Sequence, residues 1–286
     1  MNPSPFDIRP CQLGEGPLWH PERKQLFWFD ITAQRLLTVD GTGPRHWSFD
    51  DMVSAAGWID HSTLLIASAN GLWQFDIETG GRALICPLEA DNAATRSNDG
   101  RADPWGGFWI GTMGRNAEQG AGAIYRYYHG KLRLLVDGIT IPNAICFAPD
   151  KSCAYFADTN LQKIMKTKLD ATGAPETPPE VFIDMKKDNL NPDGAIVDAD
   201  GTLWIALWGA GQVVAYNADG SLQRAVNVPG AHTTCPAFGG NDLRTLFVTS
   251  ARQGLPQEAI SRIPENGMTF AIEDLSTGLP APQVQI

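Results

Sequence analysis

Three oxygen-bearing side chains stand in segments that are otherwise small and apolar, and together they could bind a cation. Glu15 lies in GEGPLW, Asn143 in PNAICF and Asp193 in PDGAIV. Two carboxylates and one amide suit a hard divalent ion, so we expect Ca²⁺ first, with Zn²⁺, Mn²⁺, Mg²⁺ and Fe²⁺ as alternatives. Such a site leaves coordination positions open, and an ion there could polarise a carbonyl or lower the pKa of a water molecule. Activation of a carbonyl group or of water is therefore the chemistry that such a site could supply.

A repeated strand pattern predicts how these side chains are brought together. Short apolar runs recur along the chain, each after a turn: LFWFD at 26–30, TLLIAS at 63–68, GFWIGT at 107–112, CAYFAD at 153–158, TLWIAL at 202–207 and TLFVTS at 245–250. Six units of roughly 45 residues, each with three or four strands, are typical of an all-β, six-bladed β-propeller. We therefore expect residues 1–286 to form a single propeller domain, closed by strands from both ends of the chain. The alternative, a pair of β-sandwiches, leaves the even spacing unexplained.

The repeat also defines one equivalent position in each unit. Counting back six residues from the turn before each run selects a polar residue every time: Glu15, Ser54, Asn98, Asn143, Asp193 and Thr234. The first strand of each propeller blade lines the central channel, so these side chains should converge on one axis. Buried polar groups need partners, and two close carboxylates repel unless a cation lies between them. The propeller is thus predicted to hold a central metal site, unless each residue bonds only to neighbouring backbone.

Composition narrows the classes of partner. The formal net charge is −10, which argues against nucleic acid and anionic membranes as partners. The five cysteines include no CxxC pair, so we expect reduced, mostly buried thiols. The segment MNPSPFDIRP lacks a basic region followed by an apolar run, so no secretory signal is expected. We expect a cytoplasmic protein that is a monomer or a weak homo-oligomer.

Five segments carry a resemblance to a known family. They are LGEGPLWHP (13–21), RSNDGRADPWGGFWIGTM (96–113), IPNAICFAPD (141–150), PDGAIVDADGTLWIALW (192–208) and FGGNDLRTLFVTSAR (238–252). In order and spacing they resemble the senescence-marker-protein/gluconolactonase family, which includes regucalcin and bacterial sugar lactonases. The resemblance implies metal ligation by Glu15, Asn143 and Asp193, the residues that the repeat had selected. It also implies substrate binding by Arg96 and Asn98.

One position departs from the family pattern and bears on specificity. Some members carry an acidic, substrate-contacting residue a few positions after the GTM segment, where this chain has Arg115 and Asn116. We hypothesise that Arg115 and Arg96 attract a lactone that bears a free carboxylate. The alternative is that Arg115 points to solvent and Asn116 only shapes the turn.

The expected function is a metal-dependent hydrolase that opens the ester ring of a small sugar-acid lactone, an aldonolactone or an aldarolactone. Asp193 is the candidate general base and Glu15 mainly a ligand, while Arg96 and Asn98 would hold sugar hydroxyls or a carboxylate. Two alternatives remain open: a non-catalytic propeller that binds calcium or a protein, and an organophosphate or aryl esterase on the same site. The nine tryptophans are interpreted mostly as core residues.

Overall fold

The computed structural model describes residues 2–286, and its strands form six four-stranded antiparallel sheets. Five sheets are continuous along the chain. These are blade 1 (β2 Gly14–His20, β3 Gln25–Asp30, β4 Arg35–Asp40, β5 Gly43–Ser48), blade 2 (β6 Val53–Asp60, β7 Thr63–Ser68, β8 Gly71–Asp76, β9 Arg82–Pro87), blade 3 (β10 Thr95–Ala102, β11 Phe108–Gly114, β12 Gly122–Tyr128, β13 Lys131–Ile139), blade 4 (β14 Pro142–Phe147, β15 Cys153–Asp158, β16 Lys163–Lys168, β17 Glu180–Asp184) and blade 5 (β18 Asn191–Val197, β19 Leu203–Trp208, β20 Gln212–Tyr216, β21 Leu222–Asn227).

Blade 6 joins the two ends of the chain. It contains β22 His232–Gly239, β23 Thr245–Ala251 and β24 Thr269–Glu273, and its outermost strand is β1, Ser4–Asp7. Ser4 pairs with Ala271, and the Phe6 ring packs edge-on against Phe247 with centroids 4.8 Å apart. The predicted six-bladed propeller and its closure by both chain ends are therefore confirmed, and the sandwich alternative is wrong.

The recurrent apolar runs form the second strand of every blade. Every residue of β3 is buried, and the large side chains of Trp28, Trp109 and Trp204 are buried in β3, β11 and β19. A strand covered on both faces by neighbouring blades must be apolar throughout, which explains why these runs dominate the sequence. The outer strands, such as β21, are largely exposed.

Each innermost strand is interrupted at the equivalent polar position. In all six blades the pairing between first and second strands shifts register at this position: at Glu15/Leu18, Val53/Ala55, Ser97/Gly100, Asn143/Cys146, Pro192/Ala195 and Thr233/Pro236. A bulge turns a side chain out of the regular alternation and so can aim it along the channel. The bulge in blade 1 requires a glycine at position 16. The φ of Gly16 is +52°, and a Cβ there would collide with the Ser54 carbonyl oxygen.

Helices contribute little to the fold. The described residues contain one short α-helix, α1 (Gln257–Arg262), and two 3₁₀ turns at Thr159–Leu161 and Lys186–Asp188. Nowhere in residues 2–286 is a helix long and apolar enough to cross a membrane. All five cysteines are free thiols and four are buried, as expected.

Candidate active site

A cavity of about 460 Å³ lies at the end of the channel where the innermost strands begin. Its lining includes all seven residues that the sequence nominated: Glu15, Arg96, Asn98, Arg115, Asn116, Asn143 and Asp193. Five of them come from the bulged first strands of four blades, which run side by side around the axis. The fold thus gathers residues that are up to 178 positions apart in the sequence (193 − 15).

Two of the six equivalent positions do not reach this cavity. The Ser54 hydroxyl donates to Ser97 Oγ at 2.8 Å, and the Thr234 hydroxyl donates to the Gly14 carbonyl at 2.5 Å. The expectation that all six side chains converge is therefore wrong for these two. Their short hydroxyls are satisfied within the wall of the channel by partners in the next blade, not by neighbouring backbone.

Glu15 and Asp193 form a buried pair of carboxylates at the cavity floor. Their exposed fractions are 8% and 5%, and the two carboxyl groups lie within hydrogen-bonding range of each other. Burial raises the pKa of Glu15, and the charge of Asp99 adds to this effect. Burial likewise raises the pKa of Asp193, and so does the proximity of Glu15. Without a cation, such a pair has to retain a proton.

The Asn143 side chain lines the same cavity and is fixed by hydrogen bonds at both atoms of its amide. Its Nδ2 donates to Thr159 Oγ1 at 2.8 Å, and the Thr159 hydroxyl in turn donates to the Pro192 carbonyl at 2.6 Å. The Asn143 Oδ1 accepts one hydrogen bond, from Asn98 Nδ2 at 3.0 Å. An amide oxygen has two lone pairs, so one remains available for a ligand.

Asn98 links the two functional parts of the cavity. It donates through Nδ2 to the Asn143 side chain and to the Pro142 carbonyl at 2.9 Å, and its Oδ1 accepts from Arg96 Nη1, also at 2.9 Å. These bonds orient Arg96 and Asn143 relative to each other. The hydrogen bonds of Asn98 thus join it to both neighbours within the cavity wall.

The donor set fits a divalent ion. No cluster of three or more His, Cys, Asp or Glu side chains occurs within residues 2–286, so a centre built only from such ligands is not present in that part of the chain. The cavity floor instead offers two carboxylates and the free lone pair of an amide oxygen, which suit a hard cation. An ion between Glu15 and Asp193 would also favour their charged forms, which burial disfavours.

The two rim residues have partners of their own. Arg115 Nε donates to the Ala93 carbonyl at 3.1 Å, and its Nη2 lies 3.5 Å from the Asp51 carboxylate. Asn116 bonds to Glu118, from its backbone N at 3.0 Å and from Nδ2 at 2.9 Å, in a manner typical of a turn. Asn116 thus shapes the turn while also lining the cavity.

Sequence reasoning missed Trp208 as a residue of the cavity wall. Its indole lines the cavity and stacks on the His232 ring, with centroids 4.1 Å apart and planes at 15°. Its place in the repeat could have identified it. Trp208 ends β19 and pairs with Asn191 at the start of β18, so it lies at the end of the blade where the cavity opens. The other tryptophans at the centres of second strands are core residues, as expected.

A second cavity, of about 440 Å³, lies at the opposite end of the channel. Its lining is mostly apolar and includes the carboxy-terminal segment 279–282, which is fixed by a hydrogen bond from Trp58 Nε1 to the Ala281 carbonyl at 2.8 Å. Arg101 lies among its lining residues and bonds to the carbonyls of Ile145 and Ala195. The paired carboxylates are confined to the first cavity, which is therefore the candidate active site.

Comparison with known proteins is consistent with this architecture. The family model described as "SMP-30/Gluconolactonase/LRE-like region" matches residues 13–252, which include every first strand of the propeller. The chain belongs to this family.

Three relatives illustrate the family's range. A Rhizobium meliloti protein, named provisionally as a sugar lactone lactonase, is 40% identical over 91% of this chain and 90% of its own length. The 6-deoxy-6-sulfogluconolactonase of Pseudomonas putida is 31% identical over 92% of this chain and 91% of its own. The crystal structure of a calcium-binding protein, regucalcin, from Agrobacterium tumefaciens superposes with a TM-score of 0.96 at 42% identity, over 99% of this chain and 97% of that one.

The buried carboxylates of this SMP-30/gluconolactonase-family chain predict an unusual dependence of stability on pH. The pKa of Glu15 is raised from 4.5 to about 8, so between these values the metal-free folded protein keeps a proton that the unfolded chain releases. Because the folded state binds more protons there, the free energy of unfolding should fall as pH rises from about 4.5 to 8. We expect a loss on the order of 3 kcal/mol relative to Glu15→Gln, which has no proton to lose.

The measurement is urea denaturation of chelated wild type and Glu15→Gln at pH 5 and pH 8. Titrations remote from the pair cancel in the difference between the two proteins, and the change at Asp193 adds to that difference, because Glu15 is one cause of the raised pKa of Asp193. An equal change with pH in both would contradict the raised pKa.

Proposed function

We propose that this protein is a divalent-metal-dependent hydrolase that opens the ring of small sugar-acid lactones. The observation that carries the proposal is the buried pair of Glu15 and Asp193 beside the oriented oxygen of Asn143, at the floor of an open cavity. A scaffold has no need of two adjacent buried carboxylates whose pKa values are both raised by burial. The lactonase names of the Rhizobium meliloti and Pseudomonas putida relatives support the same reaction class.

Glu15, Asn143 and Asp193 would hold the ion. When bound, the ion supplies a positive charge that polarises the lactone carbonyl and increases the acidity of water. Ca²⁺ is our first choice, because all three ligands are oxygens and the Agrobacterium tumefaciens neighbour is described as calcium-binding. Zn²⁺, Mn²⁺, Mg²⁺ and Fe²⁺ are the alternatives.

In the proposed reaction, Asp193 takes a proton from the water that attacks the lactone carbonyl. The acyl–oxygen bond of the ring then breaks, the ring oxygen leaves as a hydroxyl after receiving that proton, and the product is one hydroxy acid per lactone. Arg96 binds hydroxyls or a carboxylate of the sugar through the guanidinium atoms that Asn98 leaves free. Trp208 offers an aromatic wall against which the sugar ring can pack.

The proposal is tested with chelated protein refilled from a panel of the five metals and assayed on a panel of substrates. Acid release from five- and six-membered aldonolactones should depend on added metal and exceed the hydrolysis of an aryl acetate or an organophosphate by at least about a hundredfold. Hydrolysis of the ester or organophosphate in preference to every lactone would favour the esterase alternative. Tight Ca²⁺ binding with no hydrolysis of any substrate would favour a non-catalytic calcium-binding protein.

A further inference from the structure

Two arginines enter the candidate active site from one hairpin of blade 3. Arg96 pairs with Met113 across β10 and β11, and Arg115 continues the ladder by donating its backbone N–H to the Ala94 carbonyl at 2.9 Å. Arg115 is therefore the diagonal neighbour of Arg96 on the same face of the hairpin, a separation that long side chains can bridge. Both line the cavity. Their charges affect each other: burial lowers the pKa of Arg96 to about 10, and the charge of Arg115 acts in the same direction.

Arg96 has hydrogen-bonding capacity left for a ligand. Only its Nη1 donates to the protein, to the Ser97 carbonyl at 2.8 Å and to Asn98 Oδ1 at 2.9 Å. Its Nε and Nη2 have no acceptor within residues 2–286, and they are not among the polar atoms sealed inside that part of the chain. No described carboxylate lies within 4.0 Å of it as an ion-pair partner.

Arg115 is only loosely neutralised. Its distance of 3.5 Å from the Asp51 carboxylate is at the limit of a hydrogen bond, and the two side chains are 32% and 35% exposed. Exposed pairs of this kind contribute little to stability, so a ligand can compete for the guanidinium. A divalent ion would match the charges of Glu15 and Asp193, which leaves the two arginines as the uncompensated charges of the cavity.

We infer that the site selects lactones that carry an additional oxyanion, such as a second, free carboxylate, which Arg96 and Arg115 bind together. This inference rests on the proposed function and specifies its substrate class. Charge-assisted hydrogen bonds are stronger than neutral ones, and their strength increases further where the cavity wall excludes water. Asp51 opposes the selection by competing for Arg115.

The test compares D-glucaro-1,4-lactone with D-glucono-1,4-lactone, which differ only in a carboxylate or a hydroxymethyl group at carbon 6. In wild type we expect kcat/KM to favour the carboxylated lactone by about tenfold to a hundredfold, mainly through KM. Arg115→Gln should reduce this ratio about tenfold, and Asp51→Asn should increase it. The matched control is Lys131→Gln, which removes one positive charge from the exposed outer strand β13 of the same blade and should leave the ratio unchanged.

Two further readouts separate the possible failures. The wild-type ratio should fall as ionic strength rises, because salt screens the partly exposed Arg115. Calorimetry should show tighter binding of glucarate than of gluconate, and the difference should shrink in Arg115→Gln. If both lactones are opened at equal rates, or if Arg115→Gln keeps the wild-type ratio, the inference is wrong and the proposed function stands. If neither lactone is opened with any metal, the proposed function fails, and the inference fails with it.

Discussion

Replacing Asp193 by asparagine is expected to lower kcat/KM for lactone opening by about a thousandfold or more, and saturating metal should not restore it. Asparagine has the same shape and keeps an oxygen for the ion, but it cannot take a proton from water. It also removes one member of the buried carboxylate pair, whose burial and proximity raise the pKa of Asp193. The loss should appear mainly in kcat, because Arg96 and Trp208 still line the cavity.

The measurement is acid release under saturating Ca²⁺, with Ser54→Ala as the matched control. Ser54 occupies the equivalent position in blade 2, but its hydroxyl bonds to Ser97 instead of reaching the cavity. We expect the control to retain activity within a few-fold of wild type. An Asp193→Asn protein that recovers wild-type kcat at high metal concentration would show that this carboxylate is not the base.

Replacing Glu15 by glutamine should mainly weaken the binding of the metal ion, whereas the Asp193 variant mainly loses kcat. Removing one full charge about 4 Å from a divalent ion weakens binding by at least about a hundredfold, even at the effective dielectric of a partly solvated site. The amide keeps an oxygen ligand and Asp193 keeps its proton-accepting role. Activity should therefore be low at micromolar metal and recover substantially at millimolar metal.

Titration calorimetry of chelated protein gives the affinity, and activity measured along the same series gives the recovery. Asp99→Asn is the control, since it also neutralises a buried carboxylate of the channel, but one that lines the opposite cavity and accepts from the Ile145 N–H at 2.8 Å. It should keep metal affinity within about tenfold of wild type. Unchanged affinity in Glu15→Gln would remove Glu15 from the ligand set.

The fold was predictable from the sequence because the same requirement, for an apolar second strand, repeats in all six blades. A second strand enclosed by neighbouring blades must be apolar along its centre, as at 26–29 of β3 and throughout β19, so the runs stand out by composition alone. The polar position in each first strand was predictable for the same reason, since Glu15, Asn143 and Asp193 interrupt apolar surroundings. Sequence alone did not show that Ser54 and Thr234 are satisfied within the channel wall, because that depends on the reach of a hydroxyl.

Features that join distant parts of the chain were less accessible to prediction. The contact between Arg115 and Asp51 joins blade 3 to the segment before blade 2, and no local pattern marks Asp51 as its partner. Thr159, which orients Asn143, lies in a short 3₁₀ turn with no repeat equivalent. Trp208 is of a residue type that usually lies in the core, and only its place at the end of its strand distinguishes it from the core tryptophans.

The most direct test of the central claim is a titration of metal-depleted wild-type protein with Ca²⁺, in which bound ion and lactone opening are measured on the same samples. Activity should be absent without metal, rise in proportion to the bound ion and reach its plateau at one ion per chain. Both variants should bind the ion more weakly, but at equal amounts of bound ion Glu15→Gln should retain turnover whereas Asp193→Asn should not. Undiminished lactone opening by the metal-depleted protein would contradict the account.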